Sequence, residues 1–342
     1  MLSRLPRSFR RPTALVIAPA LALSLAACGS DDSDGAEGFD AVEVSGDFGT
    51  TPTFDFSDQL VAGEEEQKTL IEGDGPEVAD GDQVLVQYTV ADGFTEDVVL
   101  DTYDQETTGF LATVGGEAAQ PQVASDLFTG YLSGLIDDGM TVGTRFAVTV
   151  GVPQAFADYT TAFTDYGIGN EDGLVFVVDL ASLAAPTGTE KKAPAWAPTV
   201  VEKDGVPASL DFKGTPKPSG DLEVATLVKG DGPVVKSGQT ILVNYLGQVY
   251  KGKKPFDESF SRSGGLSAVV GGKQASVVKG WSKGLVGQTV GSRVLLEIPP
   301  ALGYGDQKQG DSIPANSTLY FVVDIADAAN TPAPAATEAP TE

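Results

Sequence analysis

Hydrophobic residues alternate with other positions in several short runs of the last third of the chain. Ile241, Val243 and Tyr245 share one face, Val294, Leu296 and Ile298 another, and Leu319, Phe321, Val323 and Ile325 a third. A period of two over such short runs predicts half-buried β-strands. One segment breaks the rule: Val277, Val278, Trp281 and Leu285 fall at helical spacing and predict a short α-helix. Many strands with one helix predict an α+β fold, the helix lying on one face of an antiparallel sheet.

The same pattern occurs earlier in the chain. Gly73-Asp74-Gly75-Pro76 returns as Gly230-Asp231-Gly232-Pro233, and Val84 to Tyr88 returns as Ile241 to Tyr245 at the same separation. Gly130-Tyr131 answers Gly280-Trp281, Thr141-Val142-Gly143 answers Thr289-Val290-Gly291, and Val175 to Leu180 answers Tyr320 to Ile325. The order is kept while the separation drifts, as two copies of one domain with different loop insertions would behave; the period is far too long for a solenoid. Residues 39–185 and 199–328 are the expected domains, with the Pro- and Ala-rich stretch 186–198 as linker. Pro52 to Phe56 echoes Ala208 to Phe212 just ahead of each copy.

Composition narrows the chemistry. The 342 residues include no histidine and one cysteine, Cys28. Histidine-based nucleophile arrangements and histidine-ligated metal sites are thereby excluded, and no metal or cofactor is expected. With 22 basic and 48 acidic residues the chain lacks the basic footprint that nucleic acid requires. The N-terminus is the exception. Arg4, Arg7, Arg10 and Arg11 precede an uncharged apolar run that closes on Leu25-Ala26-Ala27-Cys28, which reads as a signal peptide over residues 1–27. The small residues before the cysteine resemble a bacterial lipobox. That resemblance implies acylation of Cys28, hence an extracytoplasmic protein anchored to the cell membrane by lipid. Residues 28–38 read as a flexible acidic tether and 329–342 as a disordered Pro- and Ala-rich tail.

Candidate site residues gather in the second copy. Tyr245, Phe256, Trp281, Tyr304 and Phe321 are aromatic, Val277, Val278 and Ile313 are aliphatic, and Asp257 is a carboxylate among them. This is the composition of a dry pocket with one polar handle. Any one of these residues alone would read as core or turn; the ordered set carries the site reading.

The set resembles the FK506-binding type of peptidyl-prolyl cis-trans isomerase. The likeness runs from about Leu222 to Ala326 through Asn244-Tyr245-Leu246-Gly247, Phe256-Asp257, Arg262, Val277-Val278, Gly280-Trp281, Tyr304-Gly305, Ile313-Pro314 and Phe321. It implies two such domains, each a twisted antiparallel sheet wrapped around a short helix. In the second, Trp281 would form the floor, with Tyr245, Phe256, Val277, Val278 and Phe321 as walls. Tyr304 and the Ile313 N–H would donate to a bound carbonyl, and Arg262 would pair with Asp257 and Tyr245. Leu266 stands where the family usually has an aromatic residue, which makes one wall smaller.

The implied substrates are proline-containing unfolded or exported polypeptides, with a macrolide as a candidate ligand. The chemistry suits a chain without histidine. Rotation about an X–Pro bond faces a barrier of ~18–20 kcal/mol from amide resonance. Water favours the polar planar amide, so an apolar pocket lowers the cost of twisting it. No nucleophile, metal or shuttled proton is needed.

In the first copy Tyr88 and Asp101 are read as survivors, Leu100 as replacing the phenylalanine and Tyr131 the tryptophan, and no Ile-Pro follows. That copy is expected to be non-catalytic. The alternative for the whole chain is a non-catalytic chaperone or peptide-binding module of the cell envelope.

Overall fold

The computed structural model describes residues 35–116, 120–157, 159–262 and 264–330. Cys28, the expected signal peptide and residues 331–342 lie outside them. Among the described residues the fold is mostly antiparallel β-sheet with few helices.

Two hairpins and two sheets organise the chain. The first hairpin is β1 (Val42–Ser45) with β2 (Thr53–Phe56). β3 (Glu66–Ile71), β4 (Gln83–Asp92), β5 (Val98–Asp101), β6 (Phe110–Thr113), β7 (Arg145–Gly151) and β8 (Gly173–Leu183) form the first sheet. Its order is β3-β7-β8-β4-β5, with β6 also on β4. Helices α1 (Ala124–Ser133) and α2 (Val152–Ala155) interrupt it. β9 (Thr189–Glu190) leads to the second hairpin, β10 (Thr199–Lys203) with β11 (Val206–Asp211). The second sheet uses β12 (Glu223–Lys229), β13 (Gln239–Val249), β14 (Asp257–Glu258), β15 (Leu266–Val270), β16 (Arg293–Ile298) and β17 (Leu319–Asn330), with α3 (Lys279–Leu285) between β15 and β16. Its order is β14-β13-β17-β16-β12-β9, with β15 also on β13.

The repeat is visible hydrogen bond by hydrogen bond. Gly73 N–H donates to Thr144 Oγ1 and Gly230 N–H to Ser292 Oγ. Thr141 Oγ1 donates back to the Gly73 carbonyl and Thr289 Oγ1 to that of Gly230. The two repeated motifs of the sequence therefore hold each other in both copies. A Cβ on Gly73 would lie 2.4 Å from the Val142 carbonyl oxygen, and one on Gly230 2.2 Å from that of Val290; the close backbone approach requires glycine.

The strands are not half-buried. Ile241, Val243, Tyr245, Leu319, Phe321, Val323 and Ile325 face the α3 side, as their alternation predicts. The intervening Leu246, Leu295, Tyr320 and Val322 are buried too, against Leu210 and Phe212 of the second hairpin. In the first repeat Val42, with Phe54 and Phe56 packed beside it, covers Ala91 and Val175 in the same way. The Phe54 and Phe212 runs that echo each other are thus lids on the outer sheet faces.

A buried ion pair pins each lid. Arg145 binds Asp179 through Nε (2.7 Å) and Nη2 (2.8 Å), and donates from Nη1 and Nη2 to the carbonyls of Gly46 and Thr50 in the first hairpin turn. Arg293 grips Asp324 at 2.7 Å twice and reaches Glu202 on β10 at 2.6 Å. Two parallel donors to one carboxylate fix the guanidinium plane, and its remaining N–H groups fix the hairpin.

The expected boundaries shift accordingly. Within 186–198, β9 pairs with β12, the Thr187 N–H donates to the Gly291 carbonyl, and Trp196 packs beside Phe212 and Tyr320. This segment is the edge of the second sheet. At the tether's end Ala36 bridges Leu60, and β17 continues to Asn330. The described residues from Gly35 to Asn330 group as one compact unit, in which Leu85 and Leu111 of the first repeat pack on Leu242 of the second.

Replacing Asp179 by Ala leaves the buried Arg145 charge without its partner and should destabilise the chain by about 3–5 kcal/mol, read as a fall in the urea unfolding midpoint.

Candidate functional site

β13 carries Tyr245 on its helix-facing side, and β17, hydrogen-bonded beside it, carries Phe321. Trp281 sits in the first turn of α3 and is 3% exposed. Its ring meets Tyr245 at 5.5 Å and 80°, and Phe321 at 5.3 Å and 89°. Phe256 meets Phe321 at 5.6 Å and 84°. Edge-to-face contacts of this kind contribute about 0.5–1.5 kcal/mol each beyond burial, and they set the rings at right angles around a hollow.

That hollow is a cavity of about 420 Å³. Tyr245, Phe256, Trp281 and Phe321 form its aromatic base, Leu266, Val277 and Val278 its aliphatic sides, and Asp257 and Tyr304 its polar rim. Ser276, absent from the sequence reading, also lines it. Its hydroxyl accepts the Val269 N–H at 3.0 Å and its own N–H donates to the Val269 carbonyl at 3.1 Å. It fastens the approach to α3 onto β15; its only sequence signal is its place just before Val277-Val278. Among buried side-chain polar atoms, Trp281 Nε1 has no partner within the described residues.

The carboxylate is tied on both oxygens. Tyr245 Oη donates to Asp257 Oδ2, and Arg262 Nη2 donates to Asp257 Oδ1 at 3.0 Å, as the resemblance implies. Arg262 also reaches Tyr245 Oη at 3.4 Å. Burial first, then the Asp257 hydrogen bond and charge, push the Tyr245 phenol up to about 12. Burial works to lower the Arg262 pKa, but Tyr245 and Asp257 outweigh it and raise it. The phenol therefore stays a proton donor through the physiological range, and Asp257 is an oriented, partly neutralised charge.

Ile313 departs from expectation. It is buried in the apolar cluster with Trp281 and Phe321 and does not line the cavity. Its N–H donates to the Gln309 carbonyl at 3.2 Å, and its carbonyl accepts the Gln309 N–H at 3.0 Å. The expected backbone donor is thus already used. Val278 lines the cavity at the start of α3, and its N–H has no partner among the described residues.

The first repeat lacks this arrangement. Its register is one residue away from the alignment read from sequence. Tyr88 N–H donates to Thr102 Oγ1 at 2.8 Å just as Tyr245 N–H donates to Ser259 Oγ at 2.9 Å. Asp101 pairs across from Thr89, and Glu258 across from Leu246. Asp101 therefore stands with Glu258, Leu100 with Asp257, and Val99 with Phe256. The pocket carboxylate is lost there, not kept. Asp101 instead accepts from Thr51 Oγ1 (2.7 Å) and Thr89 Oγ1 (3.0 Å). Phe110 occupies the Leu266 position, each opposite the matching valine, Val86 or Val243.

Tyr131 stands in the Trp281 position, its ring meeting Phe176 and Phe156 at 5.5 Å each. Its hydroxyl donates outward to Glu65, while Phe128 turns inward and stacks on Phe163 at 4.7 Å. Phe156, Phe163 and Tyr166, from the insertion after β7, fill the space. A cleft of about 490 Å³ remains beside Tyr88, Leu100 and Phe110, bordered by Asp101, Asp104, Glu106 and Asp126.

The cavity between sheet and helix, holding one phenol-bound carboxylate, has the shape and lining to accept an uncharged, ring-bearing group. Comparison with known proteins gives the class its name. Residues 232–326 match the family model of FKBP-type peptidyl-prolyl cis-trans isomerases. An FK506-binding protein from Streptomyces anulatus is 39% identical over 117 residues, covering 34% of this chain and 92% of the relative. FK506-binding protein 2 from Dictyostelium discoideum is 40% identical over 111 residues, covering 32% and 81%. The crystal structure of FkpA from Escherichia coli is 35% identical over 35% of this chain and 54% of that one, with a TM-score of 0.30. The chain belongs to the FKBP-type peptidyl-prolyl cis-trans isomerase family.

Gly247 keeps the rings in place. A Cβ there would lie 2.6 Å from the Phe256 ring and 2.7 Å from that of Phe321. Gly247→Ala should cost about 1–3 kcal/mol by overpacking and lower isomerase activity, checked by urea unfolding and a peptide isomerisation assay.

Proposed function

We propose that the cavity of the second repeat isomerises X–Pro bonds in exported polypeptides. The observation that carries this reading is the perpendicular packing of Tyr245, Trp281, Phe256 and Phe321 around a cavity that also holds Asp257 bound by Tyr245 and Arg262. A proline ring laid on Trp281 is surrounded by carbon. Its amide leaves water, which removes the solvation that favours the planar, polar form, and the twisted amide gains in relative terms. The Tyr304 hydroxyl and the free Val278 N–H are the donors placed to orient carbonyls flanking the proline. Asp257, fixed by two donors, acts on the twisting amide through its field. The reaction needs no proton transfer.

The relatives' names record FK506 binding, so a macrolide is the natural competitor for this cavity; Leu266 gives it a smaller wall. The first repeat, with Leu100 at the carboxylate position and Phe128 and Phe163 in its interior, has no isomerase role in this reading. Its remaining cleft, with Leu100 and Phe110 beside four acids, suits a weaker hold on extended chains, the chaperone alternative.

Proline-limited refolding of a test protein with the full chain checks the proposal. Acceleration is expected, with Asp257→Val or Trp281→Ala lowering it by about tenfold or more, equivalent to ~1.4 kcal/mol of barrier, and Leu100→Ala leaving it near the parent rate. A parent chain that matches the uncatalysed rate, while still suppressing aggregation, would favour the chaperone reading.

The signal segment and Cys28 support a lipid-anchored, extracytoplasmic location. Cys28→Ser should move the protein from the membrane fraction to the soluble extracytoplasmic fraction on cell fractionation; a variant that stays with the membrane contradicts the anchor.

A further inference from the structure

The segment that presents Arg262 to Asp257 is held from behind by the first repeat. Gln83, at the start of β4, donates from Nε2 to the Arg262 carbonyl at 2.8 Å. Its Oε1 accepts from Asn244 Nδ2 at 2.6 Å. Asn244 is 3% exposed, and its Oδ1 accepts from Ser259 Oγ at 3.0 Å. Ser259 is 1% exposed and holds the Tyr245 N–H through the same hydroxyl. The Arg262 N–H closes the circuit on the Ser259 carbonyl at 3.0 Å. One side chain of the first repeat thus completes a ring of hydrogen bonds whose other members flank Tyr245, Asp257 and Arg262.

A second contact is independent of Gln83. Gly265, in the left-handed region at φ 63°, lies so close to the first repeat that a Cβ would be 2.9 Å from Leu111 Cδ1. Leu111 packs with Leu85 and Leu242 in an apolar cluster shared by both repeats. Gly265 is therefore pressed between its own sheet and β6.

Arg262 is 56% exposed along its side chain and Asp257 48%. An exposed pair of that kind is weakly ordered by its own attraction. Its geometry is as good as the backbone that carries it. Fixing the Arg262 carbonyl fixes where the guanidinium starts, and so the orientation of the carboxylate that faces the substrate.

We propose that Gln83 is a positioning residue for the isomerase pocket, and that the first repeat serves as the rigid support of the Asp257–Arg262 pair. This rests on the pocket of the second repeat being the catalytic site.

The test uses the full chain in a peptide isomerisation assay. Gln83→Ala and the near-isosteric Gln83→Glu, which keeps an acceptor for Asn244 but loses the donor to Arg262, should each lower kcat/KM on the order of tenfold. In an Arg262→Ala background Gln83→Ala should produce no further loss, because the group being positioned is gone. A merely structural effect would lower activity equally in both backgrounds. Parent-level kcat/KM in both Gln83 variants, or the same loss with and without Arg262, would overturn the proposal. If instead Asp257→Val and Trp281→Ala keep the full rate, it is the reading of the pocket that fails.

Discussion

Central strands that are apolar on both faces constrain everything else in this molecule. β13 and β17 put Tyr245 and Phe321 toward α3 and Leu246 and Val322 the other way. Burying one such side chain contributes roughly 1.5–3 kcal/mol, so neither face can be left wet. The helix covers one. The outer face is divided: Leu246 and Gln248 meet the hairpin, and Leu242 and Asn244 meet the first repeat. The first repeat divides its own β4 likewise, Ala91 going to a hairpin and Leu85 to the second repeat. Gln87, at the position equivalent to Asn244, reaches across to Asp327 at 2.8 Å. The two repeats thus use the same positions on each other.

This division explains what could be read from the sequence. The inward faces were legible because apolar residues alternate there, and α3 because Trp281 and Leu285 sit one turn apart. The outer faces were not. Asn244, Gln248, Arg145 and Asp179 look like solvent-facing residues in a one-sided strand. They are buried with complete partners: Gln248 spends its amide on both backbone groups of Leu210, and each arginine spends its guanidinium on one aspartate and one hairpin. Polar residues that bury by pairing carry no hydrophobic period, so no periodicity argument finds them.

The pocket shows the same limit at finer scale. Residue identities located Tyr245, Phe256, Asp257, Trp281 and Tyr304 around one cavity, because aromatic residues and a lone carboxylate are rare enough to be informative. Identity failed where backbone geometry decides. Asp101 was matched to Asp257 by its side chain, whereas the Ser259 and Thr102 hydroxyls that hold the tyrosine amides show the register to be one residue away. Ile313 carries an N–H like any other residue; only its bond to Gln309 takes it out of use.

The one-residue difference bears on how the repeats diverged in physical terms. With Leu100 where Asp257 stands, the first repeat has no carboxylate at that position, and burial first, then the nearby Tyr166 and Asp126, raise the Tyr88 phenol far above its ordinary value. Phe128, Phe156 and Phe163 fill the interior and leave a cleft beside Tyr88 and Leu100. A densely packed body of that kind is suited to bracing a neighbour, and its outer face is the one that meets Asn244 and Arg262. The cavity at Asp257, hollow at the centre and open to solvent, lies against a repeat whose interior is packed with aromatic rings.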